Sequence, residues 1–243
     1  MLLYLRSAVF FCGYVLFTVS YGFSIPFIAL LPNRPKHYLA ISWCWVIISW
    51  LRLTCGVRYR VLGREHLERN PLPNVVLAKH QSSWETLKLQ SIFFPCTTVL
   101  KRELYHIPIF GWGLRFLRPI AIDRKKPREA IKIVKAEGIK KLQAGLNLLL
   151  FPEGTRVAPG QKGNYARSGA DIAKDAGVNI VPVAVDSGKC WPAKGFLKHP
   201  GLITVKIGEP ISTLNKSSRE LIEDVEAWIE NEMRQLESLA VSP

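Results

Sequence analysis

Two patterns of apolar positions divide the chain. From Ala8 to Leu31 no residue is charged, a run of 24 positions, which exceeds the roughly 20 residues a helix needs to cross the hydrocarbon layer. A second apolar run, Tyr38 to Leu51, is shorter and carries Trp43, Trp45 and Trp50; tryptophan favours the bilayer interface over its centre. Arg34 and Lys36 stand in the predicted connecting loop, while Arg6, Arg52, Arg58, Arg60 and Arg64 flank the outer ends. Positive charge on every side argues for a two-helix hairpin dipping into one leaflet, with residues 1–55 as the membrane anchor. The competing reading is a single span through Ala8 to Leu31. A secretory signal peptide fits poorly, because the run is too long, contains Pro26 and ends without a small-residue cleavage pattern.

After Gly56 short apolar runs alternate with longer amphipathic ones, which predicts an α/β fold, a mixed, largely parallel sheet flanked by helices. Strands are predicted over 74–78, 97–101, 119–123, 147–151, 180–185 and 204–207, and helices over 83–94, 128–144, 166–176 and 219–239. Ser217 or Ser218 is the expected cap of the last, acidic helix. Residues 56–243 amount to one catalytic domain of ordinary size.

Charge refines this picture. The net +14 is unevenly spread: residues 1–60 hold six Lys or Arg and no acid, 61–216 hold 25 against 12, and 217–243 hold two against seven. A basic body beside an apolar anchor suits an anionic phospholipid membrane, since each cation near such a surface contributes roughly 1 kcal/mol. Nucleic acid is the rival partner, but zinc-finger spacing, an RNA-binding sheet signature and aromatics interleaved with the basic runs are all missing from the sequence. Five widely spaced cysteines, Cys12, Cys44, Cys55, Cys96 and Cys190, suggest neither a disulfide framework nor a metal cluster. They fit small apolar filler and a reducing, cytoplasmic setting for the folded part.

Candidate chemistry sits where apolar strands end. Lys79-His80-Gln81-Ser82-Ser83-Trp84-Glu85 falls between a strand and a helix, and strand ends in open α/β sheets are where active sites collect. In one continuous helix His80 and Glu85 would point about 140° apart, so they meet only if His80 lies in the turn and Glu85 in the first helical turn. The carboxylate would then fix one imidazole tautomer and leave the other nitrogen as a general base. Ser82 to Glu85 equally fits a capping box, in which the glutamate satisfies helix amides. A second block, Phe151-Pro152-Glu153-Gly154-Thr155-Arg156, breaks the apolar run Leu148 to Leu150 with Pro and Gly and so forms a loop. Arg156 on such a loop can bind a phosphate in a forked manner, or the loop can be an ordinary turn with a Glu153–Arg156 surface pair. Lys101, at the end of a strand running into Pro108 to Gly113, can add charge near a phosphate or be a solvated lysine.

The blocks His80 to Glu85, Lys101 to Gly113, Phe151 to Arg156 and Val181-Pro182-Val183-Ala184 resemble the four ordered motifs of the glycerolipid acyltransferase family. The resemblance covers roughly residues 55–215, and size, paired anchor and motif order point within the family to bacterial members that acylate lysophosphatidic acid. It implies direct transfer: His80 takes the proton of the sn-2 hydroxyl, which attacks the thioester of acyl-CoA or acyl carrier protein, giving phosphatidic acid with no cofactor and no metal. Glu85 would hold His80; Arg156 with Glu153, Gly154 and Thr155 would bind the glycerol phosphate; Lys101 would line the same pocket. Val181 to Ala184 would be a buried wall. The implied setting is the cytoplasmic face of a bacterial inner membrane. Two residues depart from the family pattern: Glu85 stands where Asp is usual and Lys79 where Asn is usual.

A serine hydrolase lacks its Gly-x-Ser-x-Gly elbow here, Arg167-Ser168-Gly169 having no glycine at the required offset. A metal hydrolase lacks a second histidine or acidic cluster at ligand spacing. A non-enzymatic basic lipid-binding protein would not need the His80/Glu85 pair, and acylation of another lysolipid, such as a lyso-ornithine lipid, is the nearest enzymatic alternative.

Overall fold

The structure, a computed structural model, describes residues 1–70 and 73–239. Helices α1 (Leu2–Ala29) and α2 (Asn33–Cys55) form an antiparallel hairpin, followed by β1 (Val57–Leu62), the short α3 (Glu65–Glu68), β2 (Val75–Ala78), α4 (Trp84–Ile92), β3 (Cys96–Lys101), α5 (Phe110–Leu114) and β4 (Ile120–Ile122). The chain continues through α6 (Pro127–Gln143), β5 (Asn147–Leu150), α7 (Ser168–Ala176), β6 (Ile180–Val185), β7 (Gly201–Ile207) and α8 (Ser218–Leu239). Arg34 and Lys36 therefore belong to the first turns of α2 and not to a loop, because the helix begins as soon as Pro32 supplies an extended N-terminal residue.

The strands form one seven-stranded sheet in the order β1-β7-β6-β2-β5-β3-β4. Every neighbouring pair is parallel except β6 and β7. Five strands thus run one way from β6 to β4, and their carboxyl ends share one edge. β2 is central, its Val75 paired with Leu148 of β5 and Ile180 of β6.

Side chains alternate across the sheet, as the pleat requires, and each face carries its own core. Val76, Ala78, Leu149, Val181, Val183 and Val205 pack with Cys44, Ile47, Ile48 and Leu51 of α2 and Trp84 and Leu89 of α4. Val75, Leu77, Leu148, Leu150, Ile180 and Ala184 pack with α6, α7 and the apolar face of α8. So α2 buries a stripe at helical spacing against the sheet while α1 lies outside it.

The hairpin closes through missing side chains. A Cβ on Gly13 would stand 2.0 Å from Trp50 Nε1, and one on Gly22 would stand 1.7 Å from Ile109 Cγ2, just before α5. Both glycines let α1 lie directly on its neighbours. Trp50 Nε1 donates to Phe10 O at 3.2 Å, and Ser7 Oγ accepts from Lys198 N at 2.9 Å, tying the base of α1 to the loop before β7. The outer side of α1 is bare: Leu16, Phe23 and Phe27 are 62%, 72% and 74% exposed, Leu30 just past its end is 85% exposed, and Trp112 of α5 is exposed as well. Both hairpin helices are long and apolar enough, by length and composition, to cross a membrane, and a bare apolar face of this kind is what a protein or membrane contact site presents.

Candidate active site

The site grows from the carboxyl end of β2. After Ala78 the chain leaves the sheet at Lys79 and turns through Gln81 and Ser82 before α4 begins at Trp84. His80 therefore lies in the turn and Glu85 in the first helical turn, where they meet: His80 Nδ1–H donates to Glu85 Oε1 at 3.1 Å. Glu85 is fully buried, which is costly for a charge unless it is hydrogen-bonded throughout. Its Oε1 also accepts from Gln81 N and Ser82 N at 2.5 and 2.6 Å, and its Oε2 from Ser82 Oγ and Ser187 Oγ at 2.9 and 2.6 Å. Capping and holding the histidine are one arrangement here. Burial pushes the Glu85 carboxyl up, but the His80 and Ser187 side chains and the Ser82 amide more than reverse it, so the group sits below its ordinary value and stays ionised.

With Nδ1–H committed to Glu85, the remaining lone pair of His80 is on Nε2. The ring is stacked on Phe151, centroids 4.0 Å apart and planes 16° apart, and it borders a cleft of about 360 Å³. The cleft runs over the sheet face that carries α6 and α7. Its wall is mostly apolar, with Leu77, Val99, Ile122, Ile131 and Leu150 among the lining residues, and Thr98, Arg124 and Ser168 stand with His80 as its polar side chains.

The predicted phosphate-binding residues separate into two groups. Gly154, Thr155 and Arg156 are exposed on the loop after β5, with Val157 N donating to His80 O at 2.8 Å. Glu153 does not face the cleft. Its carboxylate turns inward, accepting from His80 N at 2.9 Å and pairing with buried Lys79 at 2.8 Å, because a buried ammonium needs a counter-charge more than a phosphate site needs another anion. The Glu153–Arg156 surface pair is likewise not formed among the described residues. Lys101 ends β3 on the same sheet edge, exposed and outside the residues lining the cleft.

Two contributors escaped the sequence reading. Arg124 stands two residues past β4, at the same sheet edge where Lys101 ends β3, so the strand-end argument applied to it equally. Ser187 follows β6, whose Val181 to Ala184 segment is buried throughout as expected. Its hydroxyl reaches Glu85, and Gly188 N donates to Gln81 Oε1 at 3.1 Å, so the fourth block secures the histidine turn from the strand on its other side.

This arrangement of a buried carboxylate, an imidazole and a cleft with a basic mouth coincides with what the chain is related to. A sequence profile described as acyltransferase matches residues 58–186. The chain is 40% identical over 211 residues to the 1-acyl-sn-glycerol-3-phosphate acyltransferase of Pseudomonas aeruginosa, covering 85% of this chain and 81% of that one. The chain belongs to the acyltransferase family. It is also 30% identical to the chloroplastic 1-acyl-sn-glycerol-3-phosphate acyltransferase of Arabidopsis thaliana, over 76% of this chain and 52% of that longer one, of which it spans about half. The fold is shared with the crystal structure of the 1-acyl-sn-glycerophosphate acyltransferase PlsC from Thermotoga maritima, with a TM-score of 0.81 at 24% identity, covering 96% of this chain and 95% of that one.

Proposed function

We propose that this acyltransferase moves a fatty acyl group from a thioester onto the sn-2 hydroxyl of 1-acyl-sn-glycerol 3-phosphate, giving phosphatidic acid. The observation that carries this is the His80–Glu85 pair opening onto a cleft that is apolar along its length and cationic at Arg124; the acceptor is the one named for the Pseudomonas aeruginosa and Arabidopsis thaliana relatives. His80 Nε2 takes the hydroxyl proton as the oxygen attacks the thioester carbonyl. The C–O bond forms, the C–S bond breaks, and the imidazolium returns its proton to the departing thiolate. Glu85, held ionised, stabilises that imidazolium. Arg124 and Arg156 bind the acceptor phosphate, each offering a planar fork. The donor is acyl-CoA or acyl carrier protein, either of which supplies the thioester, so transfer needs no cofactor or metal.

The hairpin dips into one leaflet in this reading. One stripe of α2, including Cys44, Ile47, Ile48 and Leu51, is buried against the sheet, so α2 is not free to be surrounded by lipid, and it is the bare side of α1 with the exposed Tyr38, Trp45 and Leu53 of α2 that faces the hydrocarbon. The catalytic body then lies on the cytoplasmic face of the inner membrane, where the thioester donors are. Purified protein in vesicles, supplied with labelled acyl thioester and equal amounts of lysophosphatidic acid and a lyso-ornithine lipid, should label phosphatidic acid. Label confined to the ornithine lipid would transfer the assignment to that acceptor, and label in neither would leave a lipid-binding protein.

A further inference from the structure

Lys79 immediately precedes His80 and is 1% exposed. Its Nζ has two carboxylates and a carbonyl around it: Glu153 at 2.8 Å, Glu230 at 2.7 Å and Gln161 O at 3.0 Å. Glu153 belongs to the site, but Glu230 comes from the middle of α8. The same Glu230 oxygen accepts from Tyr165 Oη at 2.7 Å. On the same helix Glu226 pairs with Lys162, and Glu237 Oε1 accepts from Gly160 N at 2.9 Å. At 3.6 residues per turn, positions 226, 230 and 237 fall within about 40° of one another. One acidic stripe therefore meets one loop, residues 157–167, which has no helix or strand of its own.

That loop continues directly from Arg156. Its first amide, Val157 N, bonds to His80 O, and Ala166 N bonds to Pro152 O, both at 2.8 Å. Lys79 bonds at once to the loop, to α8 and to the Glu153 carboxylate, whose other oxygen holds His80 N. We propose that the acidic face of α8 is a positioning brace for the reaction, setting His80 through Lys79 and Glu153 and setting Arg156 through the 157–167 loop. The acidic stripe at 226, 230 and 237 and the lysine at position 79 then have a single explanation. A lysine spans from the catalytic turn to a helix on the sheet face opposite α4, and the helix carries the carboxylates that make its burial tolerable. A loop of this length without helix or strand of its own would otherwise open readily.

The proposal rests on the acyl-transfer reading, so one arm of its test does not use activity. Full-length Glu230→Gln and the double variant Glu226→Gln/Glu237→Gln are compared in vesicles with Glu223→Gln, an exposed α8 control paired with Arg219. Amide hydrogen exchange over 157–167 should quicken about tenfold in both brace variants with the sheet unchanged. The lysophosphatidic acid KM should rise about tenfold while the thioester KM holds. Glu230→Asp should restore part of both, and Glu223→Gln should match the wild type. Unchanged exchange in the loop overturns the brace, as does lost activity that only tracks the folded fraction with both KM values intact. A wild type that moves no acyl group refutes the functional reading alone, and the exchange arm still decides the brace.

Discussion

At the residue scale Glu85 shows why a sequence pattern can support two readings at once. Ser82 and Glu85 have capping-box spacing, His80 and Glu85 have the spacing of a catalytic pair, and the carboxylate satisfies both because its oxygens together accept five hydrogen bonds. Because folding lowers its pKa from 4.5, Glu85 contributes stability that is present above the unfolded value and lost as pH falls through the folded one. Wild type should therefore melt above Glu85→Gln at pH 7, and the gap should narrow as pH drops below 4.5. A gap independent of pH in thermal melts would show that the charge is not what the site stabilises. The pair was legible because its residues are close in sequence. Glu153 was not: its inward turn depends on Lys79 and on Glu230, which lies 151 positions beyond that lysine, and local pattern carries no sign of such a contact.

At the element scale, β6 spans the predicted residues, and the other predicted strands and helices of the α/β body are present with ends shifted by up to three residues, since burial imposes periodicity on each. β1 was missed. Its Arg58 and Arg60 look like charges flanking an anchor, yet Val57, Tyr59 and Val61 alternate with them, and that alternation was the available signal of a strand with one exposed face. α2 runs past both ends of its apolar stretch because charged residues at a helix end cost little. How the hairpin closes was not legible either, since a glycine's value lies in what approaches it. Gly13→Val drives a side chain into Trp50 and should cost about 1–3 kcal/mol. Loss of the Trp50–Phe10 bond should appear as a lower melting temperature with altered tryptophan emission. An unchanged melt would mean that α1 does not seat on α2 through this contact.

At the scale of the whole molecule, apolar and basic surfaces meet at the base of the hairpin. Arg6, Arg52, Arg58 and Arg60 are exposed there, and Arg52 and Arg58 border a surface groove of about 380 Å³ beside Tyr59 and Leu202. Lys88 adds its ammonium over the Tyr59 ring at 4.4 Å. In the proposed membrane seating, bare apolar side chains insert and the arginines attract anionic headgroups. Arg52→Glu/Arg58→Glu should weaken binding to anionic vesicles at least tenfold, taking roughly 1 kcal/mol for each cation near the surface. Binding to neutral vesicles should not change. Equal loss on both vesicle types in a flotation assay would assign these arginines a structural role.

These scales converge on one imidazole at the carboxyl edge of β2, and its chemistry can be read directly. Wild-type protein and His80→Ala, each in vesicles containing lysophosphatidic acid, are given a labelled acyl thioester, and phosphatidic acid is measured over time. Removing a general base should slow product formation by about a hundred- to ten-thousand-fold, with the variant still folded and still bound to the vesicles. Phosphatidic acid formed by His80→Ala at the wild-type rate would contradict the account.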